Sequence, residues 1–196
     1  MIKHSLIVVI LFALFSCSSL KRIEKSCEKN PFQELDSTQR ANQNLRYTIQ
    51  TPKSWKKGRT SDGDSYVLDG KFIDSLGYFR TKASVYVSRN AIRETCNDKV
   101  FSIVDYLDYY IDFINRWYSD TTFKYLLLKG KHKFYQAIYI INYSNKTPDS
   151  RLFKYTTFLF FKENIGYSLT YVSEPKHYET YLPEVEKMIN SFSILE

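Results

Sequence analysis

The chain has 196 residues, and 28 Lys and Arg stand against 21 Asp and Glu, a formal net charge of +7. Its cations are scattered among apolar runs with no dense basic block, which predicts a solvated basic surface rather than a nucleic-acid interface. Three histidines and three cysteines without a CxxC spacing supply no ligand set, so neither a metal nor a cofactor is expected. Met1 to Ser5 includes Lys3, and Leu6 to Phe15 is an unbroken apolar run of 10 residues. A helix needs about 20 apolar residues to cross a bilayer, whereas this length suits the central region of a signal peptide. Residues 1–16 are therefore read as a signal, 17–44 as a polar tether with a short helical piece around Gln33 to Asn42, and 45–196 as one domain.

Within that domain, "NLRYTIQTP" alternates Leu45, Tyr47 and Ile49 against polar residues, the period of a half-buried strand. A proline turn in "TPKSW" ends it. "DSYVLDG", "KFIDS" and "RTKASVYVSRN" are further strands. Then the period changes. Val100, Ile103, Val104, Leu107, Ile111, Ile114 and Tyr118 fall at three- and four-residue steps, which predicts an amphipathic helix of about 20 residues. The runs "TFKYLLLKG", "KFYQAIYIINYS", "RLFKYTTFLFFKE" and "IGYSLTYVSE" follow with short connections, as antiparallel hairpins do. A last helix carries Tyr181, Leu182, Val185, Met188, Ile189 and Phe192 on one face. Strands, helix, strands, helix in this order predict an α+β fold, a mostly antiparallel sheet with flanking helices.

The apolar run ends in Leu14-Phe15-Ser16-Cys17, which resembles a bacterial lipobox, with Phe15 where a small residue is usual. The resemblance implies cleavage before Cys17, lipidation of its sulfur and a lipid-anchored protein of the bacterial envelope, and Lys21 and Arg22 rather than acidic residues after the anchor favour the periplasm-facing side. Several acyl chains, each CH₂ worth about 0.8 kcal/mol, anchor a protein stably. Cys27 and Cys96 then remain. In an oxidising compartment they either pair, tying tether to body, or stay as free thiols; spacing alone does not decide.

The element order, together with "YTIQTPKSW" and "GYSLTYVSEP…YLPEVEKMINSFSI", resembles the PsbP-like superfamily over about residues 45–195. That superfamily is shared by the photosystem extrinsic protein PsbP, a Ran-binding transport factor and DcrB-type bacterial lipoproteins. The resemblance implies an α/β/α sandwich in which Trp55 caps the sheet and Phe192 docks the last helix. It also implies a binding or assembly module for envelope proteins, not an enzyme. A small-ligand or lipid-binding protein is the alternative, with an apolar pocket between sheet and helix.

The residues themselves carry little chemistry. His132 and His177 read as exposed loop residues, with no serine or cysteine placed to make a nucleophile–base pair. Asp105, Asp108 and Asp112 form a row on the long helix that reads as a solvated face. The triplets beginning at Asp36, Asp74 and Asp120 resemble acceptors for periplasmic O-glycosylation. Aromatic content is the strongest signal, with 17 Tyr and 14 Phe. Tyr106, Tyr109, Tyr110, Phe113 and Trp117 make a stripe partly off the apolar seam, and this stripe is the candidate contact surface.

Overall fold

The computed structural model describes residues 27, 30–35, 47–60, 63–68, 72–73, 79–80, 82–96, 98–117, 124–135, 137–146 and 150–195. The strands are β1 (Phe32–Glu34), β2 (Tyr47–Thr48), β3 (Trp55–Thr60), β4 (Gly63–Leu68), β5 (Phe72–Ile73), β6 (Phe79–Arg80), β7 (Ala83–Ile92), β8 (Tyr125–Gly130), β9 (Ile138–Lys146), β10 (Leu152–Lys162), β11 (Ile165–Ser173) and β12 (Ser193–Ile194). Helix α1 (Ile103–Trp117) lies between β7 and β8, and α2 (Pro175–Ser191) follows β11.

Among the described residues eight strands form one sheet, with the path β3-β4-β7-β11-β10-β9-β8 and β1 paired with β7 beside it. Every pairing is antiparallel. β4 pairs with Ser84–Ser88 of β7, and β1 takes up the same edge at Asn90–Ile92. The two-residue pairs β2–β12 and β5–β6 lie outside the main sheet. Thus the predicted opening strand shrinks to Tyr47–Thr48, and it pairs with the end of the chain rather than joining the sheet.

The alternation of each strand divides the sheet into two unlike faces. Val85, Val87, Phe158, Phe160, Tyr167, Leu169 and Tyr171 pack against Tyr178, Val185, Met188 and Ile189 of α2, with Phe192 fully buried at its end. On the other face, Ile141 and Leu159 pack with Tyr106, Leu107, Tyr110 and Ile114 of α1. This is the α/β/α arrangement expected. Between its apolar residues the face under α1 carries hydroxyl and amide groups. Tyr106 Oη donates to Asn90 Oδ1 at 2.9 Å, and Tyr110 Oη lies 3.3 Å from Thr170 Oγ1 and 3.5 Å from Thr157 Oγ1. A tyrosine fits here because its ring fills the core while its hydroxyl satisfies a buried polar neighbour.

Local signals set the boundaries. Ser102 and Asp105 form a capping box at the start of α1: the Ser102 N–H donates to Asp105 Oδ2 at 2.7 Å, and the Asp105 N–H to Ser102 Oγ at 3.5 Å. Pro175 opens α2 at a position where no N–H is needed. Glu163 and Asn164, with φ of 52° and 63°, make the two-residue turn that closes Lys162 onto Ile165.

The segment read as a tether also contributes to the body. Phe32 and Leu35 are buried, and residues 32–34 are a strand, not the start of a helical piece. Pairing with the free part of β7 satisfies backbone groups that a helix there would leave facing an open sheet edge. Residues 36–42 of that expected helix lie outside the described residues.

Candidate functional site

Among the described residues the long path of the sheet ends in β3 on one side and β8 on the other, and the sequence treats these two strands differently. β3 reads WKKGRT, with Lys56 and Lys57 exposed, and charge on an edge strand opposes pairing with another chain. β8 reads YLLLKG, with Tyr125 41%, Leu126 57%, Leu127 38% and Leu128 44% exposed. Its inner side is satisfied by β9, and no described strand pairs with its outer side. Register fixes where these side chains go. Leu126 and Leu128 sit opposite Asn142 and Ile140, towards the α2 face, whereas Tyr125 and Leu127 sit opposite Tyr143 and Ile141, towards the α1 face.

Beside Leu126 and Leu128 the sheet and α2 enclose an open cleft of about 860 Å³, whose apolar walls are Leu126, Leu128, Ile140, Phe158, Tyr178 and Leu182. Its rim is polar: Lys154 Nζ and Glu179 Oε1 pair at 3.2 Å, and Tyr178 Oη is hydrogen-bonded to Thr156 Oγ1. Lys124, Lys129, Lys131 and Lys133 flank the apolar run, all exposed, and residues 124–146 contain no Asp or Glu. The site is an apolar edge framed by positive charge.

The aromatic stripe does not form the surface expected of it. Tyr106 is fully buried and Tyr110 buried in the core, Tyr109 and Phe113 are half-buried, and of the five Trp117 alone is largely exposed. Tyr106 stacks on Tyr109 and packs edge-on to Phe32 at 5.3 Å. The physical reason is the hydroxyl-lined sheet below, which turns the helix so that Ile103, Tyr106, Leu107, Tyr110 and Ile114 make the seam and leave Val104 exposed. Trp117 stacks on Phe113 at 6.0 Å and, with Arg93 and Arg116, borders a smaller depression of about 370 Å³.

Other singled-out residues have structural partners. His132 is half-buried, not exposed: its Nδ1 accepts from the Phe134 N–H at 3.2 Å, so Nε2 carries the hydrogen donated to the Ile189 carbonyl at 2.8 Å. That bond ties the β8–β9 hairpin to α2. His177 is half-buried beside Tyr181 in the first turns of α2. Asp105 caps α1, and Asp112 pairs with Arg116 at 3.6 Å. Cys27 and Cys96 are joined by a disulfide with Cα atoms 5.6 Å apart. Trp55 is buried and donates to Glu184 of α2 at 2.6 Å. Among the described residues no group of three His, Cys, Asp or Glu could hold a metal, and no helix is long and apolar enough to cross a membrane. Cys17, residues 1–16 and the three Asp-Ser/Thr triplets lie outside the described residues.

One titratable cluster lies at the opposite side of the sheet. Tyr47 Oη donates to Asp64 Oδ2, and Lys57 Nζ is 3.1 Å from the same oxygen. Burial, with the bond to Asp64, drives the Tyr47 phenol far above its usual range. Burial also works to raise the Asp64 carboxyl, but the bonds from Tyr47 and Lys57, with Arg89 nearby, outweigh it and hold the group below its ordinary 3.8. A carboxyl lowered on folding stabilises the fold above 3.8, and that contribution fades as pH falls through the folded value. Asp64→Asn should therefore cost about 1 kcal/mol at pH 7, and the gap from wild type should narrow at pH 3. Thermal unfolding at both pH values checks this; a gap of constant size contradicts it.

No family model and no curated protein sequence matches the chain. Solved structures do. LpqN of Mycobacterium tuberculosis, described as involved in cell envelope biogenesis, is similar with a TM-score of 0.54 at 9% identity, over 76% of this chain and 83% of that one. The solution structure of cyanobacterial PsbP from Synechocystis sp. PCC 6803 matches over 84% of this chain and 93% of that one, at 12% identity and a TM-score of 0.49. The likeness to LpqN shows a shared fold.

Proposed function

We propose that this chain is a non-enzymatic binding module for proteins of the bacterial envelope, held there by lipid on Cys17. The observation that carries the reading is the apolar run Tyr125–Leu128, exposed along the last described strand of the sheet next to an apolar cleft. Burying one such leucine contributes about 1.5–3 kcal/mol, so leaving four large apolar residues in water is costly unless a partner covers them. The contact surface is thus β8 and its cleft rather than the α1 stripe. The fold shared with an envelope-biogenesis protein and the lipobox-like start of the chain support the location.

A small apolar ligand is the second reading, favoured by the size of the cleft, which is within the range of ligand sites. One experiment separates the two. Full-length protein is cross-linked in its host envelope and recovered as wild type, as Leu126→Glu with Leu128→Glu, and as Cys17→Ala. Both leucines are exposed, so the double variant should fold. It should lose a recurrent protein partner at least tenfold, and Cys17→Ala should leave the membrane fraction. Undiminished recovery from the leucine variant, or a stoichiometric co-purified lipid lost with it, overturns the protein-binding reading. Membrane retention of Cys17→Ala overturns the anchor.

A further inference from the structure

We infer that the β8 edge takes its partner as an added β-strand, an extended segment with apolar residues at alternate positions and carboxylates at its ends. This rests on reading β8 as the contact surface, and it adds the chemistry of what binds there.

Four features point to such a segment. β8 is a regular strand in register with β9 over Tyr125–Gly130, and along Leu126–Gly130 no described strand lies on its outer side. A strand is the structure that pairs with the backbone groups of such an edge all at once. The apolar side chains point to both faces of the sheet, Leu126 and Leu128 to the cleft side and Tyr125 and Leu127 to the other. An added strand continues both faces, whereas a helix covers one. Charge selects the ends: Lys124, Lys129, Lys131 and Lys133 are exposed with no acidic residue between 124 and 146. The contrast with β3 completes the case. That edge carries Lys56 and Lys57 next to its first residue, the usual guard against strand addition, whereas β8 carries one lysine, Lys129, near its end and four apolar residues in a row before it.

Two other occupants fit less well. A second copy paired about Leu127 would set Lys124 of one chain beside Lys129 and Lys131 of the other, an unfavourable apposition of like charges. An anionic lipid surface matches leucines and lysines, but hydrocarbon offers no hydrogen-bond partner to the backbone of a strand edge.

The test uses full-length protein in detergent and a fluorescein-labelled probe peptide, Glu-Asp-Val-Thr-Ile-Thr-Val-Asp-Glu, with two N-methylated versions. Each version blocks the amides on one edge of the peptide. Strand addition predicts saturable binding that falls at least tenfold for one methylated version and is nearly unchanged for the other. It also predicts slowed exchange of alternate β8 amides. Equal tolerance of both methylations, or no binding at about 1 mM peptide, overturns strand addition. If the leucine variant still loses its native partner in that case, the contact surface stands and only its mode is wrong. Two further results overturn the inference in favour of another occupant: a dimer abolished by Leu126→Glu, or binding of Cys17→Ala protein to phosphatidylglycerol vesicles abolished by the same change.

Discussion

Replacing Cys27 and Cys96 together by alanine should lower the stability of the protein by about 4 kcal/mol. The bond closes a loop with a sequence separation of 69, and closing a loop of that length removes much of the entropy of the unfolded chain. The folded side of the balance agrees. Both cysteines are almost fully buried, in the same cluster as Phe32, Ile92 and Tyr106. Cys96 sits in a short turn after β7, where its N–H donates to the Arg93 carbonyl at 2.8 Å, and Arg93 N–H in turn donates to Pro31 at 2.8 Å. The disulfide, these bonds and β1 therefore fasten one segment over the end of α1. Urea unfolding of the double variant checks the value. A loss below about 1 kcal/mol would mean that the unfolded chain is already held compact or that the segment docks without help. An oxidising compartment preserves such a bond, as the proposed export to the envelope requires.

The second large effect is expected at Gly166. A Cβ added there would lie 2.2 Å from Cε2 and 2.3 Å from Cδ2 of Tyr106. Here glycine supplies room for a ring. That ring cannot slide away easily, because its hydroxyl is held by Asn90 at 2.9 Å and it is packed between Phe32, Tyr109 and Phe161. Overpacking a tight core costs about 1–3 kcal/mol, and Gly166→Ala should lie at the upper end, at about 3 kcal/mol. Because the loss arises from one contact, Tyr106→Leu in the Gly166→Ala background should cost less than the sum of the single changes. Additive losses would mean that the backbone of β11, rather than the ring, absorbs the strain.

The four-strand meander and both helices are legible in the sequence because period two and period 3.6 are strong over β8–β11, α1 and α2. Elements that depend on tertiary context are not. β1 has only Phe32 between polar neighbours, and it becomes a strand because β4 leaves the end of β7 free. β3 has the composition of a loop, since an exposed edge tolerates Lys56 and Lys57. The seam of α1 was displaced for a related reason. Hydrophobic period alone favours Val100 and Val104 over tyrosine, but Tyr106 and Tyr110 fit a face that presents Asn90, Thr157 and Thr170. The alternating threonines of "KYTTFLFF" and "YSLTY" carried that information. As for the contact surface, "YLLLKG" reads correctly as a strand. That it is the last of the described strands on its side of the sheet follows from strand order, and a single sequence does not encode strand order locally.

The reading of β8 as a docking surface is tested most directly by hydrogen exchange on the protein in its own envelope. The amides of Tyr125–Lys129 are compared between envelope-embedded and purified full-length protein, with Trp55–Thr60 on the other edge as internal reference. A partner seated on β8 slows exchange at Tyr125–Lys129 in the envelope and leaves Trp55–Thr60 unchanged, and Leu126→Glu with Leu128→Glu abolishes the difference. Equal exchange of Tyr125–Lys129 in both states, or protection that survives the double variant, would contradict the account.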